Sequence, residues 1–129
     1  MARILVVDDD PDITFAVSLY LKKNHHDVKT AASRVEGIEA LKAFNPDLMI
    51  LDVMMEQPDD GIAMAQDLRR AGCAVPIIML TSVGKVTGMS YDRDNDLVPV
   101  EAFFEKPVRP DDLMKKVDEL LKKQGDGTC

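Results

Sequence analysis

The chain has 129 residues, enough for one domain with one sizeable core, and its 46% hydrophobic content predicts a globular rather than a disordered chain. A formal net charge of -7 argues against direct nucleic-acid binding by this segment, because phosphates would be repelled. The apolar runs fall far short of a membrane span, and "MARILVV" lacks the apolar stretch and small-residue cleavage site of a signal peptide.

The first run, Ile4–Val7, is continuously apolar, which suits a strand covered on both faces of a parallel sheet. It ends in three carboxylates, Asp8, Asp9 and Asp10. Crowded like charges repel and resist desolvation, so such a knot is most useful where a cation sits. A helix follows: Ile13, Ala16, Val17, Tyr20 and Leu21 keep one face, Asp10 caps it, Pro11 fits its first turn, and Lys22 and Lys23 suit its last. His25 and His26 are adjacent, so they do not face each other as a ligand pair. They read as a C-terminal turn that complements the helix dipole.

Val28–Ala32 is a weaker strand signal. "SRVE" at Ser33–Glu36 is a capping box, with Val35, Ile38 and Leu41 as the apolar face behind it. The third strand, Leu48–Leu51, lies in "DLMILD" and ends in Asp52. Ile62, Ala65 and Leu68 mark a third helix closed near Gly72. Ile77–Leu80 is the fourth strand, followed by Thr81; Phe103–Phe104 is the fifth, within "FFEK", which ends in Lys106. Between them, Ser82–Pro99 holds two glycines, a proline and "YDRDND", and predicts at most a short helix. The acidic run starts like a calcium loop but has Leu97 where glycine is needed and Phe103 where the bidentate glutamate belongs, so it reads as a solvated loop. Leu113, Val117, Leu120 and Leu121 mark a last helix opened by Pro110 and stopped near Gly125. Residues 1–124 are taken as the domain and residues 125–129 as a disordered tail. This alternation predicts an α/β, doubly wound, five-stranded parallel sheet.

In such a sheet, ligands bind beyond the carboxyl ends of the strands, so the acidic cluster, Asp52, Thr81 and Lys106 share one crevice. Carboxylate oxygens, a carbonyl and waters suit Mg²⁺ or a similar hard cation such as Mn²⁺. Asp52 is then placed to attack phosphorus, Lys106 to pair with phosphoryl oxygens, and Thr81 to donate a hydroxyl hydrogen bond. Cys73 and Cys129 have no metal-ligand or CxxC spacing, which predicts a reduced, cytoplasmic protein with Cys73 as a packed thiol. Met49, Met79 and Met114 read as core filler.

From "VVDDD", "DLMILDVMM", Asp60–Gly61, "IIMLTS" and "FFEKP" together, the chain resembles the receiver domain of bacterial two-component response regulators, over about Arg3 to Lys123. The resemblance implies a flavodoxin-like fold with strand order 2-1-3-4-5. It also implies that Asp8 and Asp9 hold Mg²⁺, Asp52 is the phosphoacceptor, and the Met54 backbone carbonyl is a metal ligand. Thr81 then matches the switch hydroxyl, Lys106 the motif lysine, and Phe103 the switch aromatic. A sensor histidine kinase is the implied phosphodonor, and a downstream protein or output domain the implied reader. The chain is thus expected to catalyse only its own phosphorylation and dephosphorylation. It departs from the pattern in one extra residue between Asp52 and Gly61, in Glu56 where a proline is common, and in a longer stretch from Gly84 to Val100 where the family has its fourth helix. The alternative is a haloacid-dehalogenase-like phosphatase with Asp8 as nucleophile and Asp10 as general acid. It leaves Asp52 without a task and finds no second acidic metal motif after Lys106.

Overall fold

The computed structural model describes residues 2–52, 60–82, 102–106 and 109–123. Five strands, β1 (Arg3–Val7), β2 (Asp27–Ala31), β3 (Leu48–Asp52), β4 (Ile77–Ser82) and β5 (Ala102–Lys106), form one parallel sheet in the order β2-β1-β3-β4-β5. Helices α1 (Pro11–Lys23), α2 (Arg34–Phe44), α3 (Asp60–Arg70) and α4 (Pro110–Lys123) cover it. The expected strand order and doubly wound topology are both present.

The continuous apolar runs have a direct structural cause. Successive strand residues point to opposite faces, and both faces are covered. Ile4, Val6, Leu48 and Ile50 pack with Val17 and Leu21 of α1 and Leu113 and Val117 of α4. Leu5, Val7, Met49 and Leu51 pack with Ala40 and Leu41 of α2 and Met64, Ala65 and Leu68 of α3. Met49 and Met79 are fully buried, and Met114 packs at the margin, as core filler should. β2 is an edge strand, and most of its side chains remain accessible, which explains its weaker apolar signal.

The helix ends follow their local chemistry. Asp10 is the N-cap of α1, accepting from the Asp12 N–H, with Pro11 in the first turn. Ser33 caps α2, its Oγ accepting from the Glu36 N–H at 3.2 Å. The return bond of the box lands one residue early, since Glu36 Oε2 accepts from the Ala32 N–H at 2.8 Å. Gly72, at φ 86°, turns the chain out of α3 in a conformation that favours glycine.

Two local expectations, those for Val35 and Cys73, are corrected. Val35 is 66% exposed rather than part of the apolar face of α2, because Gly37, Ala40 and Leu41 make the buried stripe. His25 and His26, by contrast, form the C-terminal turn expected of them: just past the C-cap Asn24, the His25 N–H donates to the Lys22 carbonyl at 3.0 Å and the His26 N–H to the Leu21 carbonyl at 3.1 Å, while the His26 Nδ1 accepts from the Ala2 N–H at 3.3 Å. Cys73 is buried but disulfide-bonded rather than a free thiol. The chain's other cysteine, Cys129, lies outside the described residues, and cysteine usage therefore carries no argument for a reducing compartment.

Candidate functional site

Strand register sets the site. Val7 pairs with Leu51, so Asp8 stands level with Asp52 where the two central strands end. Asp52 pairs with Leu80, which places Thr81 one residue further along β4, and Lys106 lies opposite Ser82 on β5. All four strand ends therefore meet at the carboxyl edge of the sheet, the edge expected for ligand binding.

Carboxylate oxygens of Asp8, Asp9 and Asp52 lie within 4.8 Å of one another. Asp8 is 1% exposed and Asp52 4%, whereas Asp9 faces solvent. Two full charges at that separation repel by about 3.5 kcal/mol at an effective dielectric of about 20. Burial adds a desolvation penalty for each ionised group. Backbone geometry holds them in place: the Asp8 N–H donates to the Ala31 carbonyl at 3.0 Å, and the Asp10 N–H donates to Asp8 Oδ1 at 2.9 Å. That last contact is not visible in sequence, where Asp10 reads only as a cap.

The donor set fits a small hard cation. Among the described residues it consists of carboxylate oxygens, and ligand oxygens around one octahedral Mg²⁺ stand about 3–4 Å apart, given Mg–O bonds of about 2.1 Å. Small side-chain adjustments bring the three groups within that range. A cleft of about 230 Å³ opens beside Asp8 and Asp9, walled by Pro11 and Thr14 of α1, by Thr30, Ala31 and Ala32, and by Glu36 of α2. Glu36 is engaged with the Ala32 backbone rather than with the carboxylate cluster.

Of the residues singled out in sequence, Asp8, Asp9 and Asp52 are brought together as expected. Thr81, Phe103 and Lys106 are placed by backbone, with Phe103 of β5 paired to Met79 of β4. Met54, Glu56, the calcium-loop-like run and the Gly84–Val100 stretch lie outside the described residues. Asp10, which the phosphatase alternative needs as a general acid, stands apart from the cluster and is occupied in capping α1.

An acidic crevice at the carboxyl edge of a 2-1-3-4-5 parallel sheet defines a class of phosphoryl-accepting signalling domains. Residues 4–118 match the response regulator receiver domain, and the chain belongs to that family. It is 31% identical over 125 residues to the DNA-binding dual master transcriptional regulator RpaA of a Synechocystis strain, covering 95% of this chain and 50% of that one. It is also 31% identical over 125 residues to the alkaline phosphatase synthesis transcriptional regulatory protein PhoP of Bacillus subtilis, covering 94% and 49%. The chain thus spans about half the length of the curated relatives it matches. Among solved structures, a CheY-like receiver domain protein from Methanospirillum hungatei superimposes with a TM-score of 0.82 at 25% identity, covering 95% of both chains. The Vibrio cholerae chemotaxis protein CheY4 gives 0.80 at 27% identity, covering 93% of this chain and 98% of that one. The chain is a phosphorylation-gated signalling receiver domain carrying the acidic pocket of its family as Asp8, Asp9 and Asp52. These matches lend the phosphatase alternative no support. No helix among the described residues is long and apolar enough to cross a membrane.

Proposed function

We propose that this domain accepts a phosphoryl group on Asp52 from the phosphohistidine of a sensor kinase. The observation that carries the reading is the convergence of Asp8, Asp9 and Asp52 within 4.8 Å at the ends of two central strands. Asp8, Asp9, the Asp52 carboxylate and the Met54 backbone carbonyl are the ligands assigned to Mg²⁺, for which Mn²⁺ can substitute. When bound, the ion neutralises charge on the phosphoryl oxygens and on the crowded acids.

An Asp52 carboxylate oxygen attacks phosphorus as the bond from phosphorus to the donor imidazole nitrogen breaks; that nitrogen keeps the electron pair, and because the other ring nitrogen of the phosphohistidine carries a proton, the step leaves an acyl phosphate on Asp52 and a neutral histidine. Lys106 pairs with phosphoryl oxygens as a point charge, and the Thr81 hydroxyl donates to one of them. Thr81 is drawn toward the new oxygens and Phe103 fills the space behind it. This biases a two-state surface around β5 and α4 that a downstream protein or output domain reads. Residues 1–124 form the receiver unit, and it works in the cytoplasm, where its kinase presents the phosphohistidine. The domain turns over no separate substrate.

The test is intact mass after incubation with a small phosphodonor, with and without Mg²⁺. The wild type gains one phosphoryl group only with Mg²⁺, and Asp52→Asn gains none. Equal labelling of the Asp52→Asn variant would remove the assignment.

A further inference from the structure

Asp10 follows the acidic pair in sequence yet is absent from the cluster formed by Asp8, Asp9 and Asp52. Its contacts run in two directions. Toward the helix, its Oδ1 accepts from the Asp12 N–H at 3.0 Å, and its carbonyl accepts from the Ile13 and Thr14 N–H groups at 3.1 Å each. Toward the site, its own N–H donates to Asp8 Oδ1 at 2.9 Å. The backbone of Asp10 is extended, at φ −91° and ψ 110°, the region to which a following proline confines it.

We infer that Asp10 is a positioning residue for the metal site, acting through its cap on α1. The reading rests on the divalent-ion site proposed above. The cap orients the peptide plane whose N–H grips Asp8, and the grip selects the direction in which the buried Asp8 carboxylate presents its other lone pairs. Asp8 is held from behind as well, its N–H on the Ala31 carbonyl, so the carboxylate is braced between an edge strand and a helix start. Without the cap, the Asp12 N–H turns to water and the peptide between Asp9 and Asp10 gains freedom. Asp8 then loses preorganisation, although no ligand atom has been removed. Partners that orient a ligand commonly govern affinity in this way.

Isothermal titration of the full chain with MgCl₂ tests this in four proteins. Asp10→Ala weakens Mg²⁺ binding about three- to tenfold, at the lower edge of typical losses for orienting partners because the N–H itself survives. Asp10→Asn, which keeps a capping oxygen but no charge, stays within about twofold of the wild type. Ser33→Ala removes the equivalent cap from α2 and leaves Mg²⁺ affinity unchanged. In parallel, the amide resonance of residue 10 moves upfield in Asp10→Ala and holds its position in Asp10→Asn. An Asp10→Asn affinity as poor as that of Asp10→Ala overturns the inference in favour of a direct charge effect. Wild-type affinity in Asp10→Ala overturns it outright, and an equal loss in Ser33→Ala reduces it to general destabilisation. A wild type that takes up no Mg²⁺ removes the site reading itself, and this inference with it.

Discussion

Asp8 and Asp52 carry charge into a layer where Ile4–Val7 and Leu48–Leu51 are otherwise completely buried. Single residues elsewhere are informative too. Among the described residues, the Ser18 Oγ of α1 is buried without a hydrogen-bond partner. A desolvated, unsatisfied hydroxyl is unfavourable, and alanine is the better helix former. Ser18→Ala should therefore stabilise the domain by about 1 kcal/mol, read as a higher midpoint in urea with an unchanged slope. His26 titrates below its ordinary value because burial disfavours the imidazolium, with Asp118 opposing the shift. The native state consequently binds fewer protons than the unfolded chain once pH falls toward 6.5 and below. The stabilising contribution is present above the unfolded value and declines as the solution is acidified, until the folded value is passed. Urea midpoints between pH 7.5 and 5.5 should fall more in the wild type than in His26→Gln, and a parallel fall would show that His26 is not the group responsible.

At the scale of elements, α2 is seated on β1 through a missing side chain. A Cβ on Gly37 would meet Met64 Cε at 3.1 Å and Val7 Cγ1 and Cγ2 at 3.1 and 3.2 Å. Met64 ends flexibly and can yield, but Val7 is β-branched and fixed in a central strand. The helix-propensity gain of Gly37→Ala, about 1 kcal/mol, is thus outweighed by the crowding. Net destabilisation of about 1 kcal/mol is expected in thermal or urea unfolding, and a more stable variant would contradict the packing described. The far end of α3 is tied down by the Arg69 guanidinium, whose Nη1 donates to the Cys73 and Val75 carbonyls at 2.9 and 2.8 Å. Asp67 pairs with Arg34 across α2 and α3 and with Arg70 within α3, partly exposed contacts of small energetic value.

Those elements differ in how far they are legible in the sequence. The strands β1, β3 and β4 announce themselves because two covered faces demand unbroken apolar runs. The starts of α1 and α2 are legible because a capping side chain is a local device. Val35 is misplaced by periodicity, which gives a face but not its centre, and the Gly37 approach to Val7 shifts the buried stripe of α2. The His26 contact with Ala2 and the bonded state of Cys73 depend on tertiary proximity, which no local pattern carries.

Across the whole molecule, function follows from topology. Because every strand is parallel, residues far apart in sequence reach the same edge, and register aligns Asp8 with Asp52 across β1 and β3. The candidate site is readable for the same reason: each acid directly follows an apolar run, so placing the strands places the acids. What sequence leaves out is the bracing of Asp8 by Ala31 and Asp10, which arises from the path of the turn. A net charge of -7 on a chain with an acidic crevice also favours a divalent cation at the place where acids are most crowded. The most direct test locates the phosphoryl group. The protein is loaded with a small phosphodonor in Mg²⁺, the acyl phosphate is trapped by borohydride reduction, and the peptides are sequenced by mass spectrometry. The account predicts one reduced residue, at position 52; reduction at position 8, or at no aspartate, would contradict it.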